Sequence, residues 1–126
     1  MTDAASPPRT DRPNDAAALE RLRRFGGAAL LGKMIDLFLV AAPERIGRAR
    51  QAAAAGDGEG AERALHSLKS SSAQLGAMHM QRLSEEGERR AHDGSLDGLV
   101  GLMSELEAEL ARVRDWLATA RTEGAT

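Results

Sequence analysis

One short stretch of the chain, residues 65–76, carries a histidine, a lysine and several serines at helical spacing. Positions three and four apart lie above one another on a helix, so His66, Lys69 and Ser70 share one face. A histidine on the outer stripe of a helix is available to a partner, and this one has a positive charge one turn further on. The opposite face is more apolar and can pack inward; it carries Leu65, Leu68, Ser72 and Leu75.

A second helix, predicted at about 77–92, brings carboxylates level with the histidine. If the chain reverses near residue 77, facing positions on the two antiparallel helices have numbers that sum to about 154, since each residue advances a helix by about 1.5 Å. His66 then lies level with Glu88, and Lys69 with Glu85. A carboxylate beside an imidazole can accept its Nδ1–H, which fixes the tautomer and makes Nε2 more nucleophilic. The lysine supplies a positive charge for an incoming phosphoryl group.

The composition favours one all-α domain. The chain has 126 residues, which suits a single core; 42% are hydrophobic, 29% are charged and only 2% are aromatic. β-Branched and aromatic residues favour strands, whereas this chain is rich in alanine, leucine, glutamate and arginine, which favour helices.

The last predicted helix has the clearest pattern. A coiled-coil dimer would explain it, but short loops and three other amphipathic helices favour packing within one chain. We therefore predict an antiparallel four-helix bundle with one or two short additional N-terminal helices, and a monomer. The apolar seam steps by three and four through Leu96, Leu99, Met103, Leu106, Leu110, Val113 and Leu117.

Glycine and proline divide the first half of the chain. Asp15 begins a predicted short helix that ends at Gly26-Gly27, and a hydrophobic helix follows at about 28–41. Pro43 restarts a helix that stops near the glycine-rich segment 56–60. That segment lacks the lysine of a phosphate-binding loop, so it is interpreted as a turn.

The predicted domains are a flexible N-terminal segment over 1–14, the helical bundle over 15–121 and a flexible tail over 122–126. The N-terminal segment holds three of the four prolines and lacks the apolar core of a signal peptide. The most hydrophobic window, about 28–42, is too short to span a bilayer. We therefore expect a cytoplasmic protein that does not enter a membrane.

Several kinds of site are disfavoured. The net charge of −2 provides no basic field for nucleic acid, and the absence of cysteine excludes disulfides and thiolate metal sites. His79 and His92 are predicted to lie near opposite ends of their helix, too far apart to bind one metal together with His66. We predict no metal site and no cofactor held by this chain.

The stretch resembles the motif of the histidine-containing phosphotransfer (HPt) family, which reads approximately His-x-Leu-Lys-Gly-Ser-x-x-x-Leu-Gly. The upstream segments 37–39 and 42–46 also look like the family, and the helix order matches over about 17–118. The matching residues here are His66-Ser67-Leu68-Lys69-Ser70-Ser71-Ser72-Ala73-Gln74-Leu75-Gly76.

The resemblance implies a phosphorelay protein. His66 would accept a phosphoryl group from an aspartyl phosphate on one response-regulator receiver domain and pass it to another, or receive it from a histidine kinase, hybrid or of the chemotaxis type. Glu88 would orient the imidazole and Lys69 would offset phosphate charge. The chain has no ATP site and would act as a phosphocarrier without turnover of its own, with Mg²⁺ held by the partner receiver. The predicted partner-binding residues are Ser67, Ser70, Ser71, Leu31 and Ile35, with Phe38 as a further candidate.

Two positions depart from the family pattern. Ser70 replaces a glycine but is still small, so it is expected to allow close approach of a receiver aspartate. Gly87 replaces a large apolar residue, which removes packing beside Glu88. The alternative function is a helical adaptor that binds a signalling partner without being phosphorylated. An adaptor has no chemical need for His66 or Lys69.

Overall fold

The computed structural model describes residues 13–125, and these form four α-helices without a strand. The helices are α1 (Ala16–Ala54), α2 (Gly58–Gln74), α3 (Met78–His92) and α4 (Leu99–Ala125). Consecutive helices are joined by short turns and α4 packs against both α1 and α3, which confirms the predicted helical bundle. The flexible segment predicted over 1–14 lies outside the described residues as far as residue 12, as does residue 126 at the other end.

Helix α1 consists of two helical segments separated by a kink at Gly27. Gly27 has φ 76° and ψ −174°. This backbone conformation interrupts the helix, and residues other than glycine rarely adopt it. The segment before the kink is the short N-terminal helix that the two glycines predict. Asp15 caps it, because its carboxylate accepts a hydrogen bond of 3.0 Å from the Ala17 N–H.

The predicted restart of a helix at Pro43 is wrong, because α1 continues through this proline to Ala54. A proline inside a helix removes one backbone hydrogen bond and usually kinks or ends it. Here Ala42 and Ile46, on either side, are both fully buried in the bundle core. Core packing therefore holds the helix together where the local sequence favours a break.

The seam of α4 is buried as predicted, but the helix begins at Leu99, three residues later than expected. Leu96 lies in the turn before it and still packs against the core. At its other end α4 runs to Ala125, so the tail that was predicted to be flexible is helical over residues 122–125. The buried seam residues of α4 are Leu99, Leu102, Met103, Leu106, Leu110, Val113 and Leu117.

The turn between α2 and α3 is held by the start of the chain's described part. The Asp15 N–H donates to the Gly76 carbonyl at 2.7 Å, and the His79 N–H donates to the Pro13 carbonyl at 2.8 Å. Gly76 has φ 77°, and a Cβ there would lie 2.2 Å from the Asp15 carbonyl oxygen. These two hydrogen bonds fix the start of the chain's described part to the α2–α3 turn.

By length and composition alone α1 could cross a membrane, since one stretch of it has a mean hydropathy of 1.7. One face of the same helix supplies core residues, including Leu31, Phe38 and Ala42, which are at most 4% exposed. The hydrophobicity of α1 is thus accounted for in part by its place in the bundle.

Candidate functional site

Helix α2 is oriented by its apolar face. Leu65 and Leu68 are completely buried, as are Ser72 and Ala61 on the same side. His66 consequently faces outward, and its side chain is 61% exposed. The two faces that the sequence predicts for this helix are confirmed.

The structure brings His66 and Glu88 together across the α2–α3 pair. Nδ1 of His66 lies 2.7 Å from Oε2 of Glu88. An ionised carboxylate can only accept a hydrogen bond, so Nδ1 carries the proton and its N–H donates a hydrogen bond to Glu88. The lone pair of a neutral imidazole is then on Nε2, the nitrogen that does not contact Glu88.

Lys69 pairs with the same carboxylate rather than with Glu85, the residue predicted to lie level with it. Its Nζ lies 2.7 Å from Oε1 of Glu88, so one glutamate bridges the histidine and the lysine. The hydrogen bond with Glu88 is the main reason why the pKa of Lys69 lies above its ordinary value. Partial burial opposes this rise, and the charges of Glu88 and Glu85 add to it.

Glu88 is partly buried, with 18% of its side chain exposed, and it remains ionised. Burial is the largest single influence on its pKa and acts to raise it. Together, however, the hydrogen bonds from Lys69 and His66 and their electrostatic interactions with the carboxylate outweigh burial, so the pKa of Glu88 lies below its ordinary value. The bridging carboxylate is therefore a permanent acceptor near neutral pH.

Gly87, which precedes the bridging glutamate, is tightly packed. A Cβ on this glycine would lie 2.9 Å from Cδ1 of Leu65 and 3.1 Å from Cδ2 of Leu102. Leucine side chains from α2 and α4 thus fill the volume that a large residue would otherwise occupy. The loss of packing that we expected from this glycine is absent, and α3 is closely packed at the residue before Glu88.

The three serines predicted to contact a partner lie on the open side of α2. Ser70 is exposed beside the histidine, while Ser67 and Ser71 are half-buried. The Ser71 hydroxyl donates to the Ser67 carbonyl at 2.9 Å, within the helix. Ser67 and Ser71 each line a groove between α1 and α2.

Leu31 and Ile35 are each 1% exposed and belong to the core, so the prediction that they bind a partner is wrong for both. Phe38, at 4%, is also a core residue. Because α1 is hydrophobic on several sides, its sequence did not show which apolar stripe is exposed to solvent. A signal was available, because 31, 35, 38 and 42 continue at helical spacing into the buried residues at 46 and 49.

The neighbouring stripe of α1 is open instead. Leu37 is 55% exposed and Val40 is 65% exposed. Leu37 also lines an apolar cleft of about 330 Å³ between α1 and α2, whereas Val40 lies outside it. The cleft is lined by Met34, Leu37, Phe38, Ala41, Arg45, Ser71, Gln74 and Leu75.

Within residues 13–125, no group of three or more histidine, aspartate or glutamate side chains could hold a metal ion. His92 lies at the far end of α3 and pairs with Glu62, Nδ1 to Oε2, at 3.1 Å. The histidines therefore do not converge.

A family model described as "Hpt domain" matches residues 33–116. The chain is also similar to the crystal structure of histidine-containing phosphotransfer protein B (HptB) from Pseudomonas aeruginosa PAO1. The two are 26% identical, with a TM-score of 0.82 over 88% of this chain and 96% of that one. No curated protein matches the chain.

The fold and the exposed histidine define a phosphotransfer bundle, and the chain belongs to the Hpt domain family. It is a histidine phosphotransfer protein of phosphorelay signalling. Members of this family are phosphocarriers that interact with receiver domains and kinases.

Proposed function

We propose that His66 is the phosphoacceptor of this chain and that it carries the phosphoryl group between the aspartates of receiver domains. The observation that carries this proposal is the contact of 2.7 Å between Nδ1 of His66 and Glu88 on an otherwise exposed imidazole. This contact leaves Nε2 free, outward and nucleophilic.

The proposed transfer needs no proton to move. The Nε2 lone pair attacks the phosphorus of an aspartyl phosphate, an N–P bond forms, and the P–O bond to the aspartate breaks with release of its carboxylate. The Nδ1 proton stays on the ring, which becomes positively charged as the bond forms. Glu88 stabilises this charge, and the reverse reaction returns the phosphoryl group to another aspartate.

Lys69 has a second part in this proposal. Its Nζ rests on Glu88 in the unphosphorylated protein, and its side chain is 27% exposed. A phosphoryl group on His66 would bring new anionic oxygens to the same face of α2. The ammonium group can then share its hydrogen bonds between Glu88 and the phosphate.

The partner supplies the rest of the chemistry. We propose that a receiver domain brings the in-line aspartate and its Mg²⁺, that a histidine kinase starts the relay, and that this chain holds neither a cofactor nor an ATP site. We further propose that the protein acts as a cytoplasmic monomer, because the α4 seam is used within its own bundle. The open apolar cleft containing Leu37 lies beside Ser71 and suits docking of the receiver.

Phosphoryl transfer from a panel of phosphorylated receiver domains tests the proposal. Wild-type protein is expected to gain an acid-labile, base-stable label, and His66→Gln to gain none while still binding the same receivers. His92→Gln is the matched control, since it changes an exposed histidine of α3 and leaves His66 intact. A label that persists in His66→Gln would show that another residue carries the phosphate, and binding without any label would favour the adaptor.

A further inference from the structure

A second groove between α1 and α2 begins beside His66 and runs toward the start of α2. It encloses about 510 Å³, and Ser67, the residue after the histidine, forms part of its wall. Arg45 lines both this groove and the apolar cleft, so the two are adjacent along the α1–α2 interface. The groove is lined by Arg45, Arg48, Gln51, Ala52, Asp57, Gly60, Arg63, Ala64 and Ser67.

Three arginines line this groove. Among the described residues 13–125, no carboxylate oxygen lies within 4.0 Å of the guanidinium nitrogens of Arg45, Arg48 or Arg63. Glu44 and Glu59 stand four residues before Arg48 and Arg63, the spacing at which helical ion pairs form, yet neither pair is made.

The one acidic side chain in the lining is already engaged. The carboxylate of Asp57 caps α2 and accepts a hydrogen bond of 2.9 Å from the Gly60 N–H. The groove therefore keeps a net positive charge on a chain whose formal net charge is −2.

The other side of His66 differs in this respect. There several cations of α2 and α3 are paired within the chain: Lys69 with Glu88, and Arg89 and Arg90 with Glu86. Positive charge that is free to meet a partner is thus concentrated on the α1 side of the histidine. Arginine pairs with carboxylates in a planar, two-point geometry, which favours an acidic protein surface as the matching group.

We propose that Arg45, Arg48 and Arg63 form an electrostatic docking site for an acidic face of the receiver domain. The inference rests on the proposed function, since it requires a receiver to approach His66. The arginines attract the receiver to the α1 side of His66 and set its orientation. The adjoining apolar cleft then contacts the receiver through hydrophobic side chains. A cluster of unpaired charges raises the association rate and makes that rate fall with salt.

The rate constant for transfer from the most active receiver of the panel, measured against salt, tests this inference. The groove variant is Arg45→Gln/Arg48→Gln/Arg63→Gln. The matched control is Arg24→Gln/Lys33→Gln/Arg114→Gln, which removes three exposed cations that do not line the groove. Circular dichroism and urea unfolding establish that both variants keep the fold.

At about 50 mM salt the second-order rate constant for transfer to the groove variant is expected to be roughly tenfold lower than for wild type, with a difference of less than about twofold near 500 mM. The control should stay within about twofold of wild type throughout. Equal rates and equal salt dependence in the two variants would overturn the docking site while leaving phosphotransfer intact. Failure of the proposed function appears differently, as the absence of label on the wild type.

Discussion

Glu88 is the residue whose replacement most directly tests the geometry of the site. In Glu88→Gln the side chain keeps its length and one carbonyl acceptor but loses the charge that serves both His66 and Lys69. In Glu88→Ala both contacts disappear. The two substitutions therefore separate the loss of charge from the loss of the bond.

The structure sets the size of the effect. A hydrogen bond with a charged partner contributes about 1.5–3 kcal/mol and a neutral one about 1 kcal/mol. Because the His66 side chain is 61% exposed, a value of about 2 kcal/mol, in the lower half of the charged range, applies to its bond with Glu88. Glu88→Gln should then lose about 1 kcal/mol of transition-state stabilisation, or about fivefold in rate, and Glu88→Ala about 2 kcal/mol, or about thirtyfold.

The assay is the rate of label transfer from one phosphorylated receiver under single-turnover conditions. Glu85→Gln is the matched control, because Glu85 lies one turn earlier on α3 and acts on Lys69 only through its charge. It should change the rate by less than about twofold. Transfer at the wild-type rate in both Glu88→Gln and Glu88→Ala would refute the proposal that Glu88 orients the imidazole of His66 and stabilises the positive charge that develops on it.

The Glu88→Gln substitution should also change how the stability of the protein depends on pH. The pKa of Glu88 is lowered in the folded state, so its contribution is present above the unfolded-state value and is lost as pH falls through the lower folded value. The pKa of Lys69 is raised, so its contribution is lost only as pH rises through the higher folded value. Urea unfolding of Glu88→Gln should therefore show a smaller loss of stability than wild type on acidification below about pH 4.5.

Two further predictions concern packing. Gly87→Leu should lower the free energy of unfolding by about 1–3 kcal/mol in urea titrations, because Leu65 and Leu102 already fill that space, and unchanged stability would contradict the close packing. Leu31→Ala should cost about 2–5 kcal/mol of stability as a core truncation, whereas Leu37→Ala should stay within about 0.5 kcal/mol and instead slow transfer from a receiver. The reverse pattern for Leu31 and Leu37 would show that the docking stripe of α1 has been misplaced.

The local sequence was sufficient for α2 and α3, for the outward face of α2 and for the position of Glu88 opposite His66. These features follow from the period of 3.6 residues and the constant rise of a helix, together with one glycine turn of known position. The chemistry implied for the histidine depends on the same short-range geometry. Residues 66, 69 and 88, which the HPt resemblance singles out, are in contact in the structure.

Other features depend on contacts between helices that are distant in sequence. Pro43 remains inside α1 because its neighbours are buried, and Gly87 is compensated by leucines from α2 and α4. Leu31 and Ile35 lie in the core because of how α1 is rotated, and the spacing that indicates this rotation continues across Pro43, where we predicted that the helix would break. The pairing of Lys69 with Glu88 and the convergence of three arginines on one groove also arise only in the tertiary structure. Each is set by which side chains the packed bundle brings within a few ångströms, which spacing along the chain does not encode.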